Sequence, residues 1–596
     1  MDSSQTTGEA AGTAGAVQRT DVLVVGSGPA GASAALMLAR YGLDVTVVTR
    51  SNWVADSPRA HITNQRTMEV LRSIGVEDAC RSVATPAELM ANQILCTTIA
   101  GEEIARTWSW GGDPALRGDY LTASPGPGCD LPQDRLEPIL LGEAARLGAH
   151  LRFRTRFDRL EQDDEGVTVH LTNLLTGGPE TIRAAYVLGA DGGQSAVAEA
   201  VGLPLRGQAG MAGAMNVRFT ADLSRYVAHR PGSLYAVIQP DRVDGMGHAM
   251  IRMVRPWNDW VVAFVHLGER NARLTKEEAE YEMRQLIGDD SIDVEVTGLY
   301  PWRINHVVAE RYSEGRVLCL GDAVHRHPPM NGLGANTCIQ DAFNLSWKLA
   351  YVLKGLAGPG LLDSYSVERQ PIGRQIVDRA VKSWIDEKEL LDALGLDPQA
   401  PAPERHEQFS LLTAPTEEGE ARRAATRRAN DRKAYVYHAG GVEMNQIYTP
   451  ESAAVVADGQ PPFEFRRDPE LYIEQTSHPG ARMPHAWVSL PGRNVSTLDL
   501  VQPEAFTLFA RERGAEWVAA AEEIALELGI EIHAYRIGLG CDVTDPHGDF
   551  GRLCGIEETG CLLVRPDQHI AWRQSVMAAD PTAELRRVLG AVLDRG

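Results

Sequence analysis

The segment Asp21-Val-Leu-Val-Val-Gly-Ser-Gly-Pro-Ala-Gly31 restricts this chain more than any other. An apolar run ends in three glycines and passes into the helix-forming stretch Ala32 to Arg40, then into a second apolar run, Val45 to Val48. Period and order predict a strand, a tight turn, a helix and a parallel strand. Gly26 permits the turn, Gly28 lets backbone approach a pyrophosphate, and Gly31 lets helix and strand pack closely, with the helix N-terminus facing the anion. Dinucleotide binding is therefore expected near the start of the chain. An acidic ribose ligand is usual about 20 residues further on, but Thr49-Arg50 stands there. A threonine hydroxyl still bonds a ribose hydroxyl, more weakly than a carboxylate, and Arg50 suits phosphate.

At 596 residues the chain exceeds one hydrophobic core and is multidomain. Its 80 acidic and 58 basic residues give a net charge of −22, a field that repels nucleic acid and anionic membrane. Val22 to Ala39 has the uncharged length of a membrane span, but its glycines and Pro29 read as the turn just described. The first residues lack a basic and an apolar signal region and read as a disordered tail. Eight cysteines without a C-x-x-C pair suit a reduced cytoplasm.

Further along, Gly189-Ala-Asp191-Gly192 follows an apolar strand, and Val317-Leu-Cys-Leu-Gly-Asp322 repeats that pattern before a helix from about Asn336 to Leu353. Strand-like runs at Leu234 to Ile238, His248 to Val254 and Trp260 to Val265 predict an inserted sheet. The order of the three motifs, with Pro58-Arg-Ala-His-Ile-Thr-Asn-Gln-Arg-Thr-Met-Glu69 and Gly321-Asp-Ala-Val-His-Arg-His-Pro-Pro-Met-Asn-Gly-Leu-Gly334, resembles the FAD-dependent aromatic hydroxylases. These are single-component flavoprotein monooxygenases of the para-hydroxybenzoate hydroxylase fold. Within them the likeness is to phenol hydroxylases and the 2,4-dichlorophenol 6-monooxygenase group.

The resemblance implies an α/β fold: a Rossmann-type FAD-binding domain, an inserted β-sheet substrate domain and a C-terminal thioredoxin-like domain. Its layout would be a tail at 1–19, a first FAD-binding part at 20–204 with substrate-domain strands near 92–125, and the sheet at 205–310. The second FAD-binding part at 311–400, a linker at 401–430 and the thioredoxin-like domain at 431–596 would follow. For that last domain a structural or dimer-contact role is expected, because Cys554 and Cys561 are too far apart in sequence to form a redox pair.

The same resemblance implies that FAD is held at Gly26, Gly28, Gly31, Thr49, Arg50, Arg59, Gln133, Asp191, Asp322, Pro328, Gly334, Ala335 and Asn336. Asp322 would accept from the ribityl chain, and Gly332 to Asn336 would aim a helix N-terminus at the flavin pyrimidine edge. Read alone, Asp322 is also a turn aspartate, Gly332 to Asn336 a plain glycine turn, and Arg59 and Gln133 surface residues. NADPH or NADH would bind transiently, since no second Rossmann unit is present. Aligned on Gln65-Arg66-Thr67, His61 falls where some relatives carry an active-site aspartate. A phenol titrates near 10 and an imidazole near 6.5, so His61 is a candidate to take or relay the phenol's proton. The alternative is a structural histidine capping the helix that starts at Gln65. His325 and His327 are spaced poorly for a metal, and Arg252 and Arg255 read as solvated strand charges.

The implied reaction is NAD(P)H- and O2-dependent hydroxylation of a phenol ortho to its hydroxyl, through a flavin C4a-hydroperoxide, giving a catechol. A small phenolic substrate, O2 and a homodimer or larger homo-oligomer are the expected partners. Two alternatives stay open: a hydroxylase of polycyclic aromatic polyketides, and a noncatalytic flavin-binding interaction protein.

Overall fold

The computed structural model describes residues 17–243, 246–266 and 274–595. Most of the expected N-terminal tail lies outside them. The first strand, Gln18–Val25, lies between Val45–Val48 and Pro179–Gly189, parallel to both, and Val317–Cys319 and His150–Arg152 extend the parallel array on either side. Val22, Leu23, Val24, Val45 and Val48 are fully buried, as strands covered on both faces require. The helix Pro29–Arg40 is buried from Ala30 to Ala39, because it is wedged between that sheet and the helix Gly334–Leu353. Its small side chains, Ala32, Ala34 and Ala35, allow both approaches.

A second eight-stranded sheet takes strands from three parts of the chain: Asn92–Cys96 and Glu103–Trp108, then Leu205–Thr220 through Glu295–Ala309, then His325–Arg326. Its two faces differ by the period of two. Ile94, Tyr235, Val237, Ile251, Met253, Val262 and Phe264 form one buried face, under the helix Lys276–Ile287. The opposite face carries a row across four strands: Gln93, Leu234, Arg252 and Val261.

The C-terminal sheet orders Ile532–Arg536, Phe506–Ala510, Cys561–Val564 and Ile570–Gln574, the first pair parallel and the rest antiparallel. With the helices Ala515–Leu528 and Pro581–Val592 this is a thioredoxin-like βαβββα... arrangement reduced to its sheet and two flanking helices. Cys554 and Cys561 are buried and unbonded, and burial pushes both thiols up, away from the reactive thiolate. The hairpin Arg565–His569 enters the first domain: Arg565 pairs with Glu368 at 2.6 Å, and Arg66 donates to Gln568 at 2.6 Å and to the Asp567 carbonyl at 2.9 Å.

Two expectations need correcting. Residues 401–430, read as a linker, are largely helical: Ala402–Ser410 and then Glu417–Tyr437, which packs along Glu103–Trp108. The substrate-sheet strands near 92–125 stop at Trp108, and Arg117–Ala123 is a helix. Among the described residues no helix is long and apolar enough to cross a membrane.

Candidate active site

The glycine turn is closed by sterics. Gly26 has φ +109°, and a Cβ there would stand 2.1 Å from the Ala190 carbonyl oxygen. At Gly31 a Cβ would meet the Gly26 oxygen at 2.0 Å. Gly26 is demanded by the backbone just after the strand ending at Gly189, and Gly31 by the Gly26 carbonyl of the turn itself. Gly28 is extended and starts the helix with no side-chain cap, leaving the first N–H groups for an outside anion. Thr49 is buried, its backbone bonded to Arg152 and Thr155, while Arg50 is exposed beside it. Asp191, half-buried at the end of its strand, also has partners inside the chain. Its carboxylate accepts from Ala196 N at 2.7 Å, Val197 N at 3.2 Å and the Ser195 hydroxyl, so it caps the short helix Ala196–Ala200.

Asp322 sits in the turn Gly321–Ala323 with its side chain exposed and one long contact, Cys338 Sγ at 3.8 Å. The chain then passes buried Pro328 into the helix Gly334–Leu353, which also begins without a side-chain cap, at Gly334 and Ala335. Two uncapped helix starts and an exposed carboxylate, with the Gly321 turn packed against Ala30 of the first helix, suit a cofactor with a pyrophosphate and a polyhydroxyl chain. Asn336 is buried and spends its amide inside the protein. Its Oδ1 accepts from Asn64 N at 3.0 Å, and its Nδ2 donates to the Ile62 carbonyl at 2.7 Å and the Gly332 carbonyl at 2.6 Å. This side chain ties the glycine loop to the segment carrying His61.

That segment is placed by a small ladder. Ile62 and Thr63 pair antiparallel with Asp130 and Cys129, and the pairing continues as Leu131 N to His61 O at 2.7 Å and Gln133 N to Arg59 O at 3.0 Å. The register sets Arg59 beside Gln133, Nε to Oε1 3.1 Å. Gln133 in turn donates to Glu137, one helical turn on. Glu137 is buried, accepts from Ala55 N at 2.7 Å, and is raised above the ordinary carboxylate range by that burial. Glu137 was missed in the sequence, although its i, i+4 spacing from Gln133 was visible there.

His61 sets its Nδ1 2.7 Å from Asp130 Oδ2, with side-chain exposures of 15% and 1%. Arg252 approaches the other Asp130 oxygen at 3.5 Å and donates to the Pro58 carbonyl. Trp110 lies edge-on to His61 at 6.4 Å between ring centroids, and Tyr437 edge-on to Trp110 at 5.4 Å. Burial and then the Arg252 charge lower the His61 pKa, against the opposing pull of Asp130. The helix that starts at Gln65 is capped by Asn64, whose side chain accepts from Thr67 N at 3.0 Å, so the capping role considered for His61 is already filled. Arg252 is a correction as well. It is no solvated charge but a buried one, while Arg255, 61% exposed and 3.7 Å from Asp259, fits the expectation. His325 pairs with Asp341 at 2.8 Å and His327 with the Pro328 carbonyl at 2.6 Å, and among the described residues no cluster of three His, Cys, Asp or Glu is set for a metal.

The chain has known counterparts. The FAD binding domain family matches residues 19–380, and the aromatic-ring hydroxylase C-terminal family matches 476–596. The chain is 48% identical to a 2,4-dichlorophenol 6-monooxygenase of Delftia acidovorans over 97% of its own length and 98% of that protein's. It is 44% identical to a phenol 2-monooxygenase of Pseudomonas sp. (strain EST1001), covering 96% and 93%. The solved structure of the flavin-dependent monooxygenase PieE, in complex with FAD and substrate, superposes with a TM-score of 0.92 at 42% identity, over 97% of this chain and 99% of that one. With both families matched along one chain and close relatives along its whole length, the protein belongs to the FAD-dependent aromatic-ring hydroxylases and is a flavoprotein monooxygenase.

Proposed function

We propose that the protein hydroxylates a small phenol at the carbon ortho to its hydroxyl, giving a catechol, with NADPH or NADH as reductant and O2 as oxidant. The carrying observation is His61, hydrogen-bonded to Asp130 beside an aromatic wall and joined through Ile62 and Asn336 to the glycine loop. FAD, once reduced, supplies the O2 activation and the oxygen transfer. In this reading the uncapped helix starts at Gly28 and Gly334 and the Asp322 carboxylate hold it, with Arg59 and Gln133 at its edge. Pro328, Ala335, Thr49 and Arg50 complete the cradle.

The rest falls to the chain's own groups. His61 takes the phenolic proton, and the resulting phenolate is the better ring nucleophile at the ortho carbon. Trp110 packs edge-on against the imidazole and Tyr437 against Trp110, which gives the base an aromatic neighbourhood. The relatives named for phenol and 2,4-dichlorophenol support a monocyclic substrate. The test is NADH and NADPH oxidation by the purified yellow protein with phenol, chlorophenols and a polycyclic phenol, read with product mass and peroxide. A product 16 Da heavier than a simple phenol, formed as nicotinamide is consumed, is the expected result. Hydroxylation of the polycycle alone replaces this reading with polyketide tailoring, and no stimulation by any phenol overturns it.

A further inference from the structure

Asp130 has no place in the reading from sequence, yet it is the most deeply placed charge at the site. Its side chain is 1% exposed, one oxygen faces His61 Nδ1 at 2.7 Å, and the other faces Arg252 at 3.5 Å, an ion-pair distance without a hydrogen bond. The His61 ring is held by Asp130 on the strand Cys129–Asp130 and by the edge of Trp110, and its backbone by the bond from Leu131 N to the His61 carbonyl. Asp130 and Arg252 are the charged groups that act on it. A carboxylate accepts and does not donate, so the His61 nitrogen facing Asp130 must carry the hydrogen. The remaining nitrogen, Nε2, is then the basic one.

We propose that Asp130 is a positioning residue for His61: it fixes the Nδ1–H tautomer and the ring plane, so that Nε2 is the atom that takes the phenolic proton. The inference rests on the reading of His61 as base and names how that base is prepared. In the step itself the phenol O–H bond breaks, the Nε2–H bond forms, and the electron pair stays on oxygen as phenolate. Asp130 gains no proton; its charge faces the imidazolium that forms. Burial, and then Arg252 on the far oxygen, oppose a permanent positive charge on the ring, which favours a neutral His61 able to accept.

The test uses the full-length, FAD-loaded protein and two phenols: one neutral at the assay pH, and a polychlorinated one that is already ionised there. On the neutral phenol His61→Ala is expected to lower the hydroxylation rate about 100-fold. Asp130→Asn, whose amide can donate to Nδ1 and hold the wrong tautomer, should lower it at least about 10-fold. The double variant should be no slower than His61→Ala alone, because both changes remove one function. On the ionised phenol, which has no proton to give, the loss in each variant should be at least about 10-fold smaller than on the neutral one. Should Asp130→Asn not fold, Asp130→Glu carries the test: it keeps the acceptor but shifts it by a methylene, slowing the neutral phenol more than the ionised one. Equal losses on both phenols, or additive losses in the double variant, overturn the proposal and make Asp130 structural. Loss in His61→Ala with an unaffected Asp130→Asn overturns the proposal but leaves the base standing. A harmless His61→Ala overturns the base reading itself.

Discussion

His61 shows how a single residue's meaning depends on its surroundings. Burial and Arg252 place its folded pKa below the ordinary value of about 6.5, so the neutral, accepting form prevails at neutral pH. Hydroxylation of a neutral phenol should therefore be flat through neutrality and fall as pH drops through that lowered value, and the acid limb should vanish in His61→Ala. The same shift bears on stability: the neutral ring is favoured in the fold, so its contribution is present above the unfolded pKa and is lost as pH falls. Gly26 makes a steric prediction. Gly26→Ala places a methyl 2.1 Å from the Ala190 carbonyl at a positive φ, and should cost more than about 3 kcal/mol and abolish the yellow holoprotein, as urea midpoint and flavin absorbance would show. Asp322→Ala removes an acceptor without disturbing the fold, because the carboxylate has one long internal contact. Its expected effect is a FAD dissociation constant raised about 10- to 100-fold at unchanged melting temperature, read by fluorescence titration.

At the scale of elements, what was legible in sequence was contiguous. The strand, turn and helix around Gly31 and the helix after Asp322 are written in local periodicity and in glycines that backbone contact demands. Asp130 was not legible, because it stands 69 residues from His61 and reaches it through a two-residue ladder whose register no local pattern reveals. Arg252 was misread for a similar reason: strand alternation puts it on one face, but its burial follows from the Pro58 carbonyl arriving above that face. The supposed linker carried signals that were passed over. Thr416 caps the helix Glu417–Tyr437, and Glu417, Glu418 and Glu420 fill its first turn, which offsets the positive end of the helix. Asn336 joins two of these elements. Asn336→Ala strips partners from Asn64 N and from the Ile62 and Gly332 carbonyls. It should cost about 2–4 kcal/mol and weaken FAD binding together with His61 function, measured as a lowered urea midpoint and a lowered coupling of nicotinamide oxidation to product.

For the molecule as a whole, the C-terminal domain is more than an appendage, since its hairpin supplies Arg565 and Asp567 to a fully buried ionic cluster with Glu368 and Lys348. Breaking such a cluster strands a charge in the interior. Glu368→Ala should lower stability by about 3–5 kcal/mol and uncouple the two domains in thermal unfolding. The family's thioredoxin-like architecture was legible through resemblance, but this docking was not, because its partners come from separate ends of the chain. In the proposed reaction the flavoprotein places one atom of O2 on a phenol. The most direct measurement is hydroxylation under ¹⁸O2 with the FAD-loaded protein, NADH or NADPH and phenol, followed by mass and position of the label. One ¹⁸O is expected in the product, on the carbon next to the original hydroxyl. Unlabelled product, label at another position, or nicotinamide oxidised wholly to peroxide would contradict it.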